Sequence, residues 1–199
     1  MKNMILILLG LLVPLVWISP CPAHPHVFVE PELEIELGED GVKGLWHHWT
    51  FDEYFSAWII EEFDQNKDGL ISTQEAEKLY NEAFKNLEKF GFWTRVLKGD
   101  ENIPVTRLEE FSVEIKDNLA TYSFFLPLDI PVTPENKDIL ILAYDEDYYC
   151  QIFFPPGDVG FRGDTSKWDV EYSTQKVPDL TYYFGFITPV AVRVSLNPS

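Results

Sequence analysis

The chain is 199 residues long and strongly acidic, with 33 Asp and Glu against 15 Lys and Arg and a formal net charge of −18 at pH 7. The length suits one domain of ordinary size. The acidity argues against DNA, RNA and anionic membrane surfaces as partners, because like charges repel, and it fits an exported protein that attracts cations.

Residues 1–23 have the pattern of a secretory signal that is removed from the mature protein. Lys2 provides the positive start, residues 4–18 are apolar, and small residues precede a predicted cleavage site after Ala23. The apolar run is shorter than the about 20 residues of a membrane span. We therefore expect a periplasmic or otherwise secreted protein; an uncleaved anchor and lipid modification of Cys21 are the alternatives.

If Cys21 is removed with the leader, Cys150 lacks a partner for an internal disulfide, and its apolar surroundings favour burial.

Cleavage after Ala23 would make His24 the first residue of the mature protein. Pro25 disfavours helix before it, so His24 and His26 are expected in an extended segment with both rings on one face, about 7 Å apart. The freed amine of His24 adds a third nitrogen. Imidazole suits zinc, nickel, cobalt and copper, so this pair is a candidate transition-metal site. The alternative is a frayed terminus with exposed rings.

Residues 27–37 alternate between apolar and acidic side chains, which predicts a half-buried strand. A turn at residues 38–41 and a returning strand over 42–51 complete a predicted hairpin. His47 and His48 lie on the returning strand and must point to opposite faces, so at most one of them can join the first pair. We take His48 as the candidate ligand. The alternative is that His47 and His48 bind no metal and are ordinary surface or half-buried residues between Trp46 and Trp49.

Residues 64–75 match a calcium-binding EF-hand loop. A hard cation needs many oxygen ligands at about 2.4 Å, and this spacing folds them around one point. Gly69 occupies the sixth position, where the chain turns sharply. The alternative is a helix-loop-helix that binds no metal. The predicted ligands are Asp64, Asn66, Asp68, the backbone carbonyl of Leu70, Ser72 and Glu75.

Apolar residues at helical spacing predict one helix before this loop and one after it, within about residues 51–90. Thr50 and Glu53 predict a capping box at the start of the first helix. The sequence contains no second loop of this kind, so Ile71 must pack against another part of the protein. A single EF-hand outside the cytosol is expected to bind calcium weakly, as extracellular calcium modules do, with a Kd of about 10⁻⁴ to 10⁻³ M.

The remaining sequence predicts short strands separated by turns. We expect strands at 93–98, 168–174 and 191–196, a hairpin of 108–115 with 119–128, and a further pair of 139–144 with 149–154; residues 155–163 are expected to form a loop. The predicted fold class is α+β: an antiparallel β-sandwich with a single EF-hand inserted between strands, forming one domain over residues 24–199.

Three motifs resemble a bacterial family of exported proteins labelled as periplasmic components of ABC-type transport systems. They are residues 23–27 (AHPHV), 49–53 (WTFDE) and 144–149 (YDEDYY). The resemblance covers most of the mature chain and does not extend to His47 or His48. It implies metal-ion transport beside nickel, cobalt or zinc permeases. The positions that match are His24, His26, Asp52, Asp145 and Tyr148, and Asp145 becomes a candidate metal ligand or an acceptor behind the histidines.

The leading functional hypothesis is a non-enzymatic periplasmic protein that binds calcium at the loop and a transition metal at the histidines, working with a membrane metal permease. The second is a calcium-stabilised structural or interaction domain of the envelope without a transport role. The third is an enzyme, in which the amine and imidazole of an N-terminal histidine hold copper that activates oxygen. The sequence has no nucleophile elbow, phosphate loop or zinc-protease helix that would favour an enzyme.

Overall fold

The computed structural model describes residues 24–133, 137–154, 157 and 159–199. The predicted leader, including Cys21, lies outside these residues. The fold is mixed α+β, with mostly antiparallel sheets and few helices.

The first sheet contains six strands in the order β5-β6-β2-β1-β8, and β9 also pairs with β1. The long hairpin of β1 and β2 lies at its centre, as the alternating pattern predicted. The second predicted hairpin, β5 with β6, is also present. The strands are β1 (Val27–Leu37), β2 (Gly41–Phe51), β5 (Glu109–Lys116), β6 (Leu119–Pro131), β8 (Cys150–Ile152) and β9 (Val159–Gly163).

The second sheet contains five strands in the order β10-β11-β7-β3-β4, and all its neighbours are antiparallel. Its strands are β3 (Thr94–Lys98), β4 (Glu101–Ile103), β7 (Asp138–Ala143), β10 (Trp168–Lys176) and β11 (Val190–Pro198). One buried hydrophobic cluster contains side chains from both sheets, such as Leu33 and Leu45 of the first and Val96 and Ile141 of the second.

The helices lie between β2 and β3. Helix α1 spans Glu53–Phe63, helix α2 spans Thr73–Glu82, and a kinked segment of 3₁₀ turns follows over Phe84–Trp93; short 3₁₀ turns also occur at Thr165–Lys167 and Pro178–Leu180. The helices face the core through apolar side chains, and Ile71 packs into the same buried cluster.

The predicted capping box of α1 is wrong by two residues. The N-cap is Asp52, whose Oδ1 accepts hydrogen bonds from the N–H groups of Tyr54 and Phe55 at 2.9 and 3.0 Å. The hydroxyl of Thr50 instead pairs with that of Thr121 across the β2–β6 ladder. The sheet therefore continues beyond the expected helix start.

Two predictions about β8 and β9 are also wrong. Strands β7 and β8 do not pair, because β7 belongs to the second sheet whereas β8 runs parallel to β1 in the first. The expected loop over 155–163 ends in strand β9, which runs parallel to β1 from Leu33 to Leu37. In both cases the true partner is β1, which lies more than 100 residues earlier in the chain. No local sequence pattern specifies pairing over that separation.

Candidate metal sites

The loop between α1 and α2 has the backbone conformation that its sequence requires. Lys67 and Gly69, at the fourth and sixth positions, have positive φ angles of 60° and 82°. A Cβ on Gly69 would meet nothing within 4 Å, so the backbone angle rather than lack of space favours glycine there. The side-chain oxygens of Asp64, Asn66 and Asp68 all accept backbone N–H groups of the loop.

Glu75 joins the two ends of the loop. Its Oε1 accepts the N–H of Gln65 at 2.7 Å, and its Oε2 accepts both the N–H and the hydroxyl of Ser72 at 2.9 and 2.7 Å. These hydrogen bonds, those from Ser72 first, lower the pKa of Glu75 although burial acts in the opposite direction. Ser72 also caps α2, where Glu75 completes a capping box. The carboxylate is therefore ionised and held in place at neutral pH.

The first and last loop positions are nearly buried carboxylates, since Asp64 and Glu75 are each 7% exposed. Across the described part of the chain, no Lys, Arg or His forms an ion pair with either of them or with Asp68. In those residues no three His, Cys, Asp or Glu side chains already form a metal-binding group. The predicted shell adds an amide, a hydroxyl and a backbone carbonyl, all oxygen donors that suit a hard cation.

The structure brings His24 and His26 together just before β1. Their ring centroids lie 4.9 Å apart in a T-shaped arrangement. Two tyrosine rings flank them: Tyr149 lies 4.9 Å from His26, and Tyr183 lies 5.5 Å from His24. The Nδ1 atom of His24 is shielded from solvent and has no hydrogen-bond partner in the described residues. An unpartnered imidazole nitrogen beside a second imidazole fits a transition metal.

Asp145 supports this pair through the backbone. It is 5% exposed, and its oxygens accept the N–H groups of Asp147, Tyr149 and Cys150 at 3.0 to 3.1 Å. The carbonyl of Tyr149 in turn accepts the N–H of His26 at 2.8 Å. Asp145 thus fixes the turn that anchors the His26 segment, and both its oxygens are already hydrogen-bonded.

A cleft of about 1050 Å³ lies beside His24, with Trp93, Tyr144, Asp145 and Tyr149 among its lining residues. A second cavity, of about 630 Å³, shares His24 with it and extends to residues 180–184. The exposed pair of Arg95 and Glu146, 3.5 Å apart, lines both. His24 therefore lies at the border of two accessible cavities.

His47 and His48 lie away from this pair. His48 is opposite Glu32 in the β1–β2 ladder, six residues along β1 from His26 and therefore roughly 20 Å away. Its Nδ1 lies 2.8 Å from the hydroxyl of Ser123, and its Nε2 lies 3.5 Å from Glu34. His47 points to the core, where burial lowers its pKa to about 3. The structure does not bring either histidine to His24.

Sequence reasoning did not assign Tyr149 or Tyr183 to the site. The available signal for Tyr149 was the aromatic motif at residues 144–149, whereas Tyr183 comes from a turn before β11 that carries no recognisable motif. Tyr148 and Asp52, which the motifs did mark, act as structural residues. The hydroxyl of Tyr148 donates to Gln151, and Asp52 binds backbone N–H groups at the start of α1 and β1.

Fold and sites together define a mixed α+β protein with an acidic loop between two helices and a histidine pair beside a cleft. The chain belongs to the family described as Protein of unknown function (DUF1007), whose model matches residues 9–179. It is also similar to the "Uncharacterized 15.5 kDa protein in trpE 3'region" of Spirochaeta aurantia, with 24% identity over 143 residues that cover 71% of this chain and 100% of the relative. Within the residues that the structure describes, no helix has the length and apolar character needed to cross a membrane.

Proposed function

We propose that this protein is an exported calcium-binding EF-hand protein and an accessory metal-binding component of a nickel, cobalt or zinc transport system. In this proposal residues 24–199 form one β-sandwich domain with the hand inserted between β2 and β3. The resemblance to periplasmic transport components and the predicted leader support the location and the transport role. The proposal that the protein binds calcium rests on the loop itself.

The observation that carries the calcium proposal is the pair of nearly buried carboxylates at the first and last loop positions. Charged groups withdrawn from water are costly unless a counter-charge compensates them. In the described residues no basic side chain forms an ion pair with either carboxylate, and a divalent cation would supply the compensating charge. Asp64, Asn66, Asp68, Ser72, Glu75 and the carbonyl of Leu70 would hold calcium, which would fix α1 relative to α2.

Thermal unfolding with and without calcium tests this half, since a ligand that binds only the folded state raises its stability. At about 100 times the Kd the gain is about 2.7 kcal/mol, which corresponds to a Tm rise of about 5–10 °C for a chain of this size. Glu75→Gln should weaken calcium binding at least about tenfold, because ligand charge tunes affinity over several orders of magnitude.

The matched control is Glu82→Gln, which removes an exposed carboxylate at the end of α2 that pairs only loosely with Lys78, at 4.0 Å. It should retain the full calcium shift. Equal shifts in the wild type and the Glu75→Gln variant would contradict calcium binding by the loop.

The transition-metal half is carried by the convergence of His24 and His26 and by the unpartnered Nδ1. The mature protein should bind zinc, nickel, cobalt or copper, and substituting both histidines by alanine should abolish binding, whereas His48→Ala should not. A large calcium shift with no transition-metal binding would favour the second candidate function, a calcium-stabilised interaction domain of the envelope.

A further inference from the structure

We infer that the transition-metal site binds copper(II) through three nitrogens: the free amine of His24, Nδ1 of the same residue and the imidazole of His26. The inference rests on the proposed export and on cleavage after Ala23, which creates the amine. It deepens the proposed metal-binding function by naming the ligand atoms and the metal that they prefer.

The atom that points to this arrangement is Nδ1 of His24. Of the two ring nitrogens, Nδ1 is the one nearer to the backbone, and it can close a chelate ring with the amine of its own residue. In the structure this atom is shielded from solvent and accepts or donates no hydrogen bond in the described residues. A buried polar atom without a partner needs an explanation, and a metal bound between this nitrogen and the second imidazole would supply one.

The second imidazole lies at a suitable distance. Imidazole–metal bonds are about 2.0 Å long, so rings whose centroids are 4.9 Å apart can both reach a single ion with small rotations. The segment that carries them is held from one side, because the N–H of His26 donates to the carbonyl of Tyr149 at 2.8 Å. The turn that contains Tyr149 is in turn fixed by Asp145.

The donor set favours copper over the other candidates. His47 and His48 lie far along the hairpin, and the thiol of Cys150, opposite Val27 in the β1–β8 ladder, is buried. Asp145, a buried carboxylate of the cleft, already accepts three backbone N–H groups. Glu146 and Asp147 line the same cavities as His24, but in the described residues no three His, Cys, Asp or Glu side chains form a group that could hold a metal ion. The site thus offers nitrogen donors without the fourth protein ligand of a closed zinc site. A nitrogen-rich, tetragonal arrangement is typical of copper(II) or nickel(II), and copper(II) binds such sites most tightly of the divalent first-row metals.

The test compares two N-termini of the full processed protein. One is the wild type purified from its envelope, whose first residue is checked by mass spectrometry. The other carries a glycine–serine segment inserted between Ala23 and His24, long enough to place the free amine away from the imidazoles. Copper(II) affinity is measured by competition with a chelator, and the number of bound nitrogens by electron paramagnetic resonance.

We expect the wild type to bind one copper(II) ion with three nitrogen ligands. The extension should lower the affinity by at least about 100-fold, the upper end of what loss of a supporting contact costs at metal sites, and His26→Ala should also remove a nitrogen signal. The control His48→Ala should bind like the wild type.

Three results would overturn the inference: equal copper affinity with and without the extension, a mature N-terminus other than His24, or a preference for zinc or nickel over copper. Binding of zinc or nickel that ignores the extension would leave the proposed transport function intact and remove only the amine-based copper site. No binding of any of these metals would remove both.

Discussion

Asp52, Glu75 and Asp145 each use both carboxylate oxygens to accept hydrogen bonds from backbone N–H groups. These three acidic residues organise the start of α1, the loop at residues 64–75 and the turn beside the histidines. Sequence reasoning identified Glu75 from its place in a motif. It could not identify the role of Asp145, because that role depends on a turn whose partner, the His26 segment, is distant in the chain.

The core-facing histidine gives a prediction at the scale of one residue. His47 stacks on Phe124 with ring centroids 5.1 Å apart, and burial lowers its pKa from 6.5 to about 3. As pH falls below about 6.5, the unfolded chain therefore takes up a proton that the folded protein excludes. Between the unfolded pKa of 6.5 and the folded pKa of about 3, this residue should lower the free energy of unfolding by up to about 1.4 kcal/mol for each pH unit of acidification.

His47→Phe should remove this contribution. Urea unfolding at about pH 6.5 and pH 5 should show a loss about 2 kcal/mol larger for the wild type than for the variant. Measurement at pH 8, where His47 is neutral in both folded and unfolded states, separates the change in packing from the change in titration. Equal losses in the two proteins would show that His47 takes up its proton in the folded state.

At the scale of elements, the alternation of Val27–Leu37 and the turns at 38–41 and 116–118 were enough to predict both hairpins of the first sheet. Helix positions also followed from apolar spacing. The parallel neighbours β8 and β9 were missed, because β1 has one open edge and nothing in its own sequence states which later segment fills it. Local pattern determines a hairpin, whereas the order of strands in a sheet depends on packing of the whole chain.

Asp52 connects two elements and gives a prediction at this scale. Its Oδ1 caps α1, and its Oδ2 accepts the N–H of Phe28 in β1 at 2.7 Å. Asp52→Ala removes the cap and the β1 contact together. Because N-caps contribute about 0.5–2 kcal/mol and an abandoned N–H adds to the loss, the free energy of unfolding should fall by about 1–3 kcal/mol.

Urea denaturation of the two proteins measures this difference. Glu53→Gln is the matched control, because Glu53 is the neighbouring acidic residue, is exposed, and forms no ion pair in the described residues. It should change stability by only a few tenths of a kcal/mol through the helix dipole. Asp52→Ala with wild-type stability would show that the cap is dispensable.

At the scale of the whole molecule, the helix-loop-helix and the histidine cleft are attached to common elements. Asp52 caps α1 and also contacts β1, and the segment that follows α2 ends at Trp93, which lines the cleft. The sequence predicted each group of candidate ligands separately. It could not exclude His48, because only the register of β1 against β2 shows that this residue lies far along the hairpin from His26.

The central claim is that residues 64–75 bind calcium, and calorimetric titration of the metal-free mature protein tests it most directly. We predict a saturable heat for one calcium ion per chain, with a Kd of about 10⁻⁴ to 10⁻³ M, and a much weaker response to magnesium, which demands a more regular shell. Heat no greater than that of dilution up to millimolar calcium would contradict the account.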